Sequence, residues 1–158
     1  MNFNESSEFK KGRFGEDKIQ KMLAKRGFTI YMPITAGSHP VDKIVFSKDK
    51  RKLIIAEVKT YPKRRLYNDT GINLSHYYDY KYINETYNIP IFLFFIDKSL
   101  NKIYGNFLTE LVKPFNNYPI IAETKTGKKI YFPLTNMLNL AELTEEESTE
   151  LCKLYDNQ

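Results

Sequence analysis

Apolar residues recur along the first third of the chain at spacings that predict a helix followed by a β-hairpin. In SEFKKGRFGEDKIQKMLAKRG, Phe14, Ile19, Met22 and Leu23 fall on one helical side, and Gly27 can take the left-handed conformation that often follows a helix. FTIYMPI predicts a short strand. VDKIVF and KLIIAEVKTY predict two longer strands, which the polar turn SKDKRK joins into a hairpin.

The middle of the chain predicts a second helix and a central strand. LSHYYDYKYINETY has helical spacing, and we expect Leu74, Tyr77, Tyr78 and Tyr82 on its packed side. IPIFLFFID is apolar at consecutive positions, which is typical of a strand covered on both faces of a sheet. The segment PKRRLYNDTGIN, between the hairpin and this helix, is expected to be a polar, basic loop.

The last third of the chain is weakly patterned until its end. KIYGNFLTELV and GKKIYFPL predict peripheral strands or short helical segments. In LTEEESTELCKLY, Thr144 and Glu147 have the spacing of a capping box, and Leu151 and Leu154 supply an apolar side. The order of helix, strands, helix and strand predicts an α/β domain with a central mixed β-sheet flanked by helices.

Length and residue types restrict the class of protein. At 158 residues we expect a single domain, 1–158, with a core at about 7–110 and a C-terminal extension at about 111–158. One cysteine and two histidines exclude an intrachain disulfide and a Cys/His zinc site. The start of the chain is too polar for a signal peptide, and the longest apolar run, 89–96, is shorter than the roughly 20 residues of a bilayer span. We therefore expect a cytoplasmic protein without membrane contact.

Charge is distributed unevenly along the chain. The net charge is +5, and basic residues concentrate between Lys43 and Arg65, whereas acidic residues dominate from Met137 to the end. Lysine and arginine side chains that neutralise phosphates release condensed counterions, so a basic surplus favours a polyanionic partner such as nucleic acid.

The hairpin brings two acids and a lysine to one face. Side chains alternate along a strand, so Glu57 and Lys59 share a face. A turn centred on Asp49 and Lys50 would place Asp42 directly opposite Glu57, where two like charges repel. A bound Mg²⁺ ion would relieve that repulsion, since it takes one or two carboxylates together with substrate phosphate. Lys59 would then hold the attacking water and stabilise negative charge in the transition state.

The first helix supplies a further acid. Glu16 precedes Ile19 by three residues and Leu23 by seven, which places it on the apolar stripe. Gly12 and Gly15 beside it leave room for close approach of backbone or substrate. Each feature alone has a structural explanation, such as a surface salt bridge for the glutamate. Jointly, an acid on a glycine-flanked helix, an aspartate and a strand E-x-K favour a catalytic centre.

The combined pattern resembles the PD-(D/E)XK nuclease superfamily. GRFGEDKIQKMLAKRGF and HPVDKIVFSKDKRKLIIAEVKT are similar to archaeal Holliday-junction resolvases and to their restriction-enzyme relatives. The resemblance covers about residues 10–97 and implies a restriction-endonuclease-like core. It further implies that Asp42 and Glu57 are metal ligands, Lys59 is the catalytic lysine and Glu16 is an accessory acid and ligand. Mg²⁺ is the implied cofactor, with Mn²⁺ able to substitute.

The resemblance also implies nucleic-acid contacts after the E-x-K strand. A polar residue on the following helix is expected to reach the active site, and His76 and Tyr80 have the spacing of the Gln-x-x-x-Tyr pattern seen in some branches, with histidine in place of glutamine. The loop containing Lys63, Arg64 and Arg65 directly follows the catalytic strand, so we expect it to contact phosphates. The implied partner is duplex or branched DNA, bound by a homodimer.

These features predict a metal-dependent endonuclease that hydrolyses DNA phosphodiester bonds with a metal-activated water. Two alternatives retain the scaffold without catalysis. One is a non-cleaving nucleic-acid-binding module, and the other is an assembly or inhibitor protein that uses the acidic tail as its contact. The presence of all four catalytic-type residues favours the nuclease.

Overall fold

The computed structural model describes residues 6–33 and 41–156, and His39 and Pro40 lie outside these ranges. Within them the chain alternates helices and strands as an α/β protein. In chain order the elements are α1 (Ser7–Lys25), β1 (Thr29–Tyr31), β2 (Lys43–Phe46), β3 (Leu53–Thr60), β4 (Asp69–Asn73), α2 (Leu74–Tyr87), β5 (Ile91–Asp97), β6 (Lys102–Phe107), α3 (Leu108–Leu111), β7 (Ile120–Thr124), β8 (Gly127–Pro133), a 3₁₀ turn (Leu134–Asn136), β9 (Leu138–Glu142) and α4 (Glu145–Asp156).

The main sheet has six strands in the order β1-β2-β3-β5-β6-β9. Strands β3 and β5 are parallel, and the other neighbouring pairs are antiparallel, so the sheet is mixed, as the sequence predicts. The parallel pair requires a crossover, which β4 and α2 provide. Strand β6 lies inside this sheet between β5 and β9, so the expectation of a peripheral element for KIYGNF is wrong.

Strand β5 is buried along its whole length, as its continuous apolar run predicts. Leu93 and Phe95 pack with α2 residues on one face of the sheet. Phe94 and Ile96 pack on the other face with Ile19 of α1 and with residues of α4. The sheet therefore has an apolar core on both sides, which explains why alternation is absent in this segment.

A second sheet, in the order β4-β8-β7, lies on the α2 side of the main sheet. Its strand β4 covers Asp69–Asn73, where the sequence predicts only loop. Asp, Gly and Asn are weak strand formers and make up three of its five residues, so local propensity gives little signal for this strand. Pairing with β8 supplies its hydrogen bonds, and Ile72 and Ile130 join the core.

The two helices on the other face of the sheet, α1 and α4, begin with side-chain caps. Phe9 N donates to Ser6 Oγ at the start of α1, and Gly27 after its end has the expected positive φ of 86°. Glu147 N donates to Thr144 Oγ1 while Thr144 N donates to Glu147 Oε2, which confirms the predicted capping box. Lys18 of α1 also pairs with Glu147, so this box ties the two helices together.

Helix α2 has the predicted bounds, and Leu74 and Tyr77 pack against the core as predicted, but the rest of the predicted packed side is wrong. Tyr80 is 1% exposed, whereas Tyr78 and Tyr82, which we expected to be packed, are 55% and 61% exposed. Tyrosines occur all around this helix, so hydrophobic periodicity does not identify the buried one. No helix among the described residues is long and apolar enough to cross a membrane.

Close packing of α1 against β3 generates a stability prediction at Gly15. A Cβ atom at this position would overlap Thr60 Oγ1 and lie 3.2 Å from Val58 Cγ1. We expect Gly15→Ala to lower the free energy of unfolding by about 1–2 kcal/mol, since overpacking outweighs the gain in helix propensity. That corresponds to a fall in Tm of roughly 2–8 °C.

Gly12→Ala on the same helix is the matched control, because nothing lies within 4 Å of a Cβ atom there. It should stabilise the protein by about 0.5–1 kcal/mol through helix propensity alone. Thermal melts of the two variants test the contact, and a gain in Tm for Gly15→Ala would contradict the packing described.

Candidate active site

The β2–β3 hairpin has the register that its sequence predicts. Phe46 pairs with Leu53 and Ile44 pairs with Ile55, which brings Asp42 opposite Glu57 one step beyond the last strand pair. Asp42 N donates to Glu57 Oε2 at 3.3 Å, and Val58 N donates to Asp42 Oδ2 at 2.8 Å. Each carboxylate therefore accepts a hydrogen bond from a backbone N–H group of the opposite side of the hairpin.

Glu57 is the most deeply buried carboxylate of this group, at 4% exposure. Its Oε1 accepts from Lys59 Nζ and from Tyr80 Oη, each at 2.5 Å. Burial raises the pKa of Glu57, and the negative charge of Asp42 raises it further, whereas Lys59 and Tyr80 act in the opposite direction. The donors therefore offset only part of the cost of burying a charge.

Helix α2 brings two further side chains to this end of β3. Tyr80 has a raised pKa, chiefly because it is buried and also because Glu57 is near, so it remains a hydrogen-bond donor. His76 lies one turn earlier, with its ring centroid 6.2 Å from that of Tyr80. Burial and then Lys59 lower the pKa of His76, while Asp79 and then Asp42 raise it.

Glu16 lies at the rim of the site instead of on the buried stripe of α1. Its side chain is 39% exposed, and its Oε2 is 3.5 Å from Nζ of Lys43, which is fully buried. Burial, followed by Asp42, raises the pKa of Glu16, and Lys43 lowers it. The sequence did not single out Lys43 as a site residue, although its position in the apolar alternation of β2 places it on the α1 side of the sheet with Val45.

The acids do not form a ready-made metal cluster. Among residues 6–33 and 41–156, no group of three or more His, Cys, Asp or Glu side chains is placed to hold a metal ion. The opposed pair Asp42 and Glu57 nevertheless fits a hard cation, because Mg²⁺ uses one or two carboxylates and retains several waters. Glu16 is separated from this pair by its contact with Lys43.

The basic loop after β3 is largely committed to internal contacts. The Arg64 guanidinium binds the fully buried Asp69, and it lies over the rings of Tyr67 and Tyr131 at 4.0 and 3.9 Å. Lys63 Nζ donates to the carbonyl oxygens of Arg64 and Tyr67.

Of the three basic residues that we expected at phosphates, only Arg65 is exposed. Phosphate contact by Arg64 stays a prediction, and in this structure the side chain is paired with Asp69. Its guanidinium satisfies a buried carboxylate, which would otherwise remain uncompensated.

A cavity of about 350 Å³ opens beside Lys59. Lys11 and Tyr155 line this cavity and are in contact with each other, with the lysine Nζ 4.0 Å from the ring centroid. Gly12, next to Lys11, also lines the cavity, and the absence of a side chain there leaves it open. The cavity lies on the α1 side of the sheet with Val58, whereas Lys59 Nζ binds Glu57 on the α2 side, next to Tyr80.

No protein-family model and no curated protein sequence matches the chain. Solved structures do match. The fold is similar to that of Hjc, a Holliday junction resolvase from the archaeal hyperthermophile Archaeoglobus fulgidus, with a TM-score of 0.55 and 15% identity over 86% of this chain and 99% of that chain. D212, a nuclease from a fusselovirus, matches with a TM-score of 0.47 and 13% identity over 89% of this chain and 87% of that chain.

The chain has a nuclease-like α/β fold, which confirms the fold class that the sequence predicts. The similarity to Hjc spans a larger share of the chain than residues 10–97, where the sequence resemblance lies. Part of the predicted C-terminal extension therefore has a structural counterpart.

The raised pKa of Glu57 predicts how stability depends on pH. Its folded-state pKa lies above the usual value of 4.5, so between these values the native state binds more protons than the unfolded state, and stability falls as pH rises. Glu57→Gln removes this contribution. We expect the Tm of the variant minus that of the wild type to increase as pH rises from about 4 to 7 in EDTA.

Thermal melts across that pH range measure the difference. A constant offset reports the loss of the Lys59 and Tyr80 contacts, so the slope against pH is the decisive quantity. A slope of the opposite sign would mean that the ionised carboxylate is stabilised overall.

Proposed function

We propose that the protein is a metal-dependent endonuclease that hydrolyses DNA phosphodiester bonds. The observation that carries this proposal is the joint placement of Asp42 opposite Glu57, with Lys59 bound to the same carboxylate at the end of β3. Two carboxylates and a lysine are the groups needed to bind a divalent cation and to stabilise charge on a reacting phosphate.

Asp42 and Glu57 would hold the Mg²⁺ ion, for which Mn²⁺ would substitute. A bound ion would lower the pKa of a water molecule and neutralise charge on the scissile phosphate. Glu16, at the rim, would act as an accessory acid through water and not as a direct ligand.

Tyr80 and Lys59 position the Glu57 carboxylate, and Lys59 also balances its charge. Tyr80 fixes the rotamer of Glu57 by donating to Oε1, and Lys59 donates to the same oxygen. With a cation held by Asp42 and Glu57, the Lys59 ammonium would orient the attacking water and stabilise the developing negative charge. His76 is exposed next to these groups, where it can contact the phosphate backbone.

The fold supports DNA as the substrate class. Hjc is described as a Holliday junction resolvase. Branched DNA and duplex DNA are therefore both candidate substrates for this chain. Cutting two strands requires two active sites, and we therefore expect a homodimer. Sedimentation distinguishes it from an 18.6 kDa monomer.

A non-cleaving nucleic-acid-binding module is the second candidate. It is favoured by the absence of a three-carboxylate cluster among the described residues. Under this alternative the Lys59 ammonium serves only to neutralise the buried Glu57.

Cleavage assays separate the two candidates. We expect wild-type protein to cleave plasmid or branched DNA with Mg²⁺ or Mn²⁺ but not in EDTA. Asp42→Ala, Glu57→Ala and Lys59→Ala should each reduce the rate by about 100-fold or more, because each removes a group that stabilises charge in the transition state. Glu16→Gln should have a smaller effect.

Binding of the same DNA should remain, since it depends on phosphate contacts elsewhere. Lys81→Ala and Glu85→Ala, at exposed positions of α2, are the matched controls and should cleave at the wild-type rate. Wild-type activity in Glu57→Ala would refute the assignment.

Thermal stability tests the metal site without a substrate. Mg²⁺ that binds only the folded state with a Kd of about 1 mM adds about 1.4 kcal/mol at roughly 10 mM. For a protein of this size, that raises Tm by roughly 3–6 °C. Asp42→Asn should raise Tm in EDTA, since it removes the repulsion with Glu57 but keeps an oxygen that can accept from Val58 N. It should also abolish most of the Mg²⁺ shift.

Asp42→Ala is the paired variant. It removes the acceptor for Val58 N as well as the charge, and we expect a lower Tm than for Asp42→Asn in EDTA. If Asp42→Asn instead lowers Tm in EDTA and leaves the Mg²⁺ response intact, Asp42 is a structural residue and not a ligand.

A further inference from the structure

The β7–β8 hairpin carries an exposed group of lysines. Lys125 lies at its tip, and Lys128 and Lys129 follow at the start of β8, with Glu123 as the acid opposite Lys128. Lys125 and Lys128 are exposed and Lys129 is half-buried. None of these lysines forms an ion pair with the residues that the structure describes. Their charge is therefore available to an external anion.

Strand pairing places this hairpin beside the candidate active site. Lys129 pairs with Asn73, the residue that immediately precedes α2, and the hairpin continues past this point to its tip. The first half of α2 carries His76 and Tyr80. Lys129 Nζ also lies 5.5 Å from the ring centroid of Tyr61, two residues after Lys59. Lys129 therefore lies next to the end of β3 where the catalytic-type residues meet, and Lys128 and Lys125 follow towards the tip of the hairpin.

The tip of the hairpin is held by its own hydrogen bonds. Thr124 pairs with Gly127, Thr124 Oγ1 donates to the carbonyl oxygen of Gly127 at 2.5 Å, and Thr126 N donates to Thr124 Oγ1 at 3.3 Å. Gly127 has a φ of 107°, which L side chains rarely adopt. Because the tip is held in one conformation, Lys125 and Lys128 lose less conformational entropy on binding a ligand than they would in a flexible loop.

Three other cations near the site are paired within the protein. Lys59 binds Glu57, Lys43 binds Glu16, and Arg64 binds Asp69. Binding a DNA backbone through several phosphates needs cations that are not neutralised within the protein. The hairpin supplies them in a part of the chain for which the sequence predicted no role.

We propose that the β7–β8 hairpin binds the sugar-phosphate backbone of DNA beside the cleavage site, through Lys125, Lys128 and Lys129. This proposal rests on the proposed function, since it takes DNA as the partner. The contact is with phosphates and carries no base specificity, so it positions the nucleic acid relative to Lys59.

The salt dependence of DNA binding tests the hairpin. A variant with Lys125→Gln, Lys128→Gln and Lys129→Gln is compared with wild type by fluorescence anisotropy, using a labelled 30-base-pair duplex in EDTA so that no cleavage occurs. Each phosphate contact contributes about −0.9 to the log–log slope of binding against salt, so the slope should flatten by roughly two to three units.

The matched control replaces Lys48, Arg51 and Lys52 with Gln at the β2–β3 turn, which lies at the opposite end of these strands from Asp42 and Glu57. It removes the same charge and should leave the slope within about half a unit of wild type. Because Lys129 contacts Tyr61, the double variant Lys125→Gln, Lys128→Gln guards against a folding defect, and it should flatten the slope by about one to two units.

The outcomes separate this proposal from the proposed function. An unchanged slope in the hairpin variants overturns the hairpin contact even if the wild type cleaves DNA. Equal flattening by the β2–β3 control overturns it too, because the attraction would then be diffuse. No binding by wild type also overturns it. Flattening confined to the hairpin variants, in a protein that does not cleave with Mg²⁺, supports the contact and contradicts the proposed catalysis.

Discussion

The buried carboxylate of Glu57 imposes the constraint on which the site depends. An ionised group at this depth must be paired and hydrogen-bonded, or the fold bears the cost of its desolvation. Lys59 and Tyr80 donate to one oxygen, and the backbone N–H of Asp42 donates to the other. The pKa of Glu57 is nonetheless raised, so these donors do not fully compensate the charge. A bound cation can offset the remaining desolvation cost of the ionised Glu57 carboxylate. Buried carboxylates with a raised pKa of this kind are common at functional sites.

The crossover between β3 and β5 makes this arrangement possible. Because the two strands are parallel, the chain must return from the end of β3 to the start of β5, and α2 makes that return with its N-terminal half beside the acids. Tyr80 and His76 are therefore fixed by the topology of the sheet. The second sheet then holds the start of α2 through β4, so that β8 and its lysines are attached to the same corner of the molecule.

Some cations of this protein are paired inside the fold, whereas others, such as those of the β7–β8 hairpin, are exposed. Lys43 and Arg64 each neutralise an acid within the fold, and in both cases one partner of the pair is fully buried. Net charge alone does not distinguish these cations from those that meet a ligand. The exposed lysines of the β7–β8 hairpin show why a basic surplus must be located in three dimensions before it indicates a binding surface.

Local patterns in the sequence determined the elements whose neighbours are close in the chain. The polar turn centred on Asp49 and Lys50 predicted the hairpin register, and the alternation along β3 then placed Glu57 opposite Asp42 on the same face as Lys59. Continuous apolarity identified β5, and capping spacing identified the start of α4. Tertiary structure alone decided which tyrosine of α2 is buried, which acid Lys43 meets, and that Asp69–Asn73 is a strand. These outcomes depend on partners distant in sequence, whose contacts outweigh local propensity and leave no periodic signal in the chain.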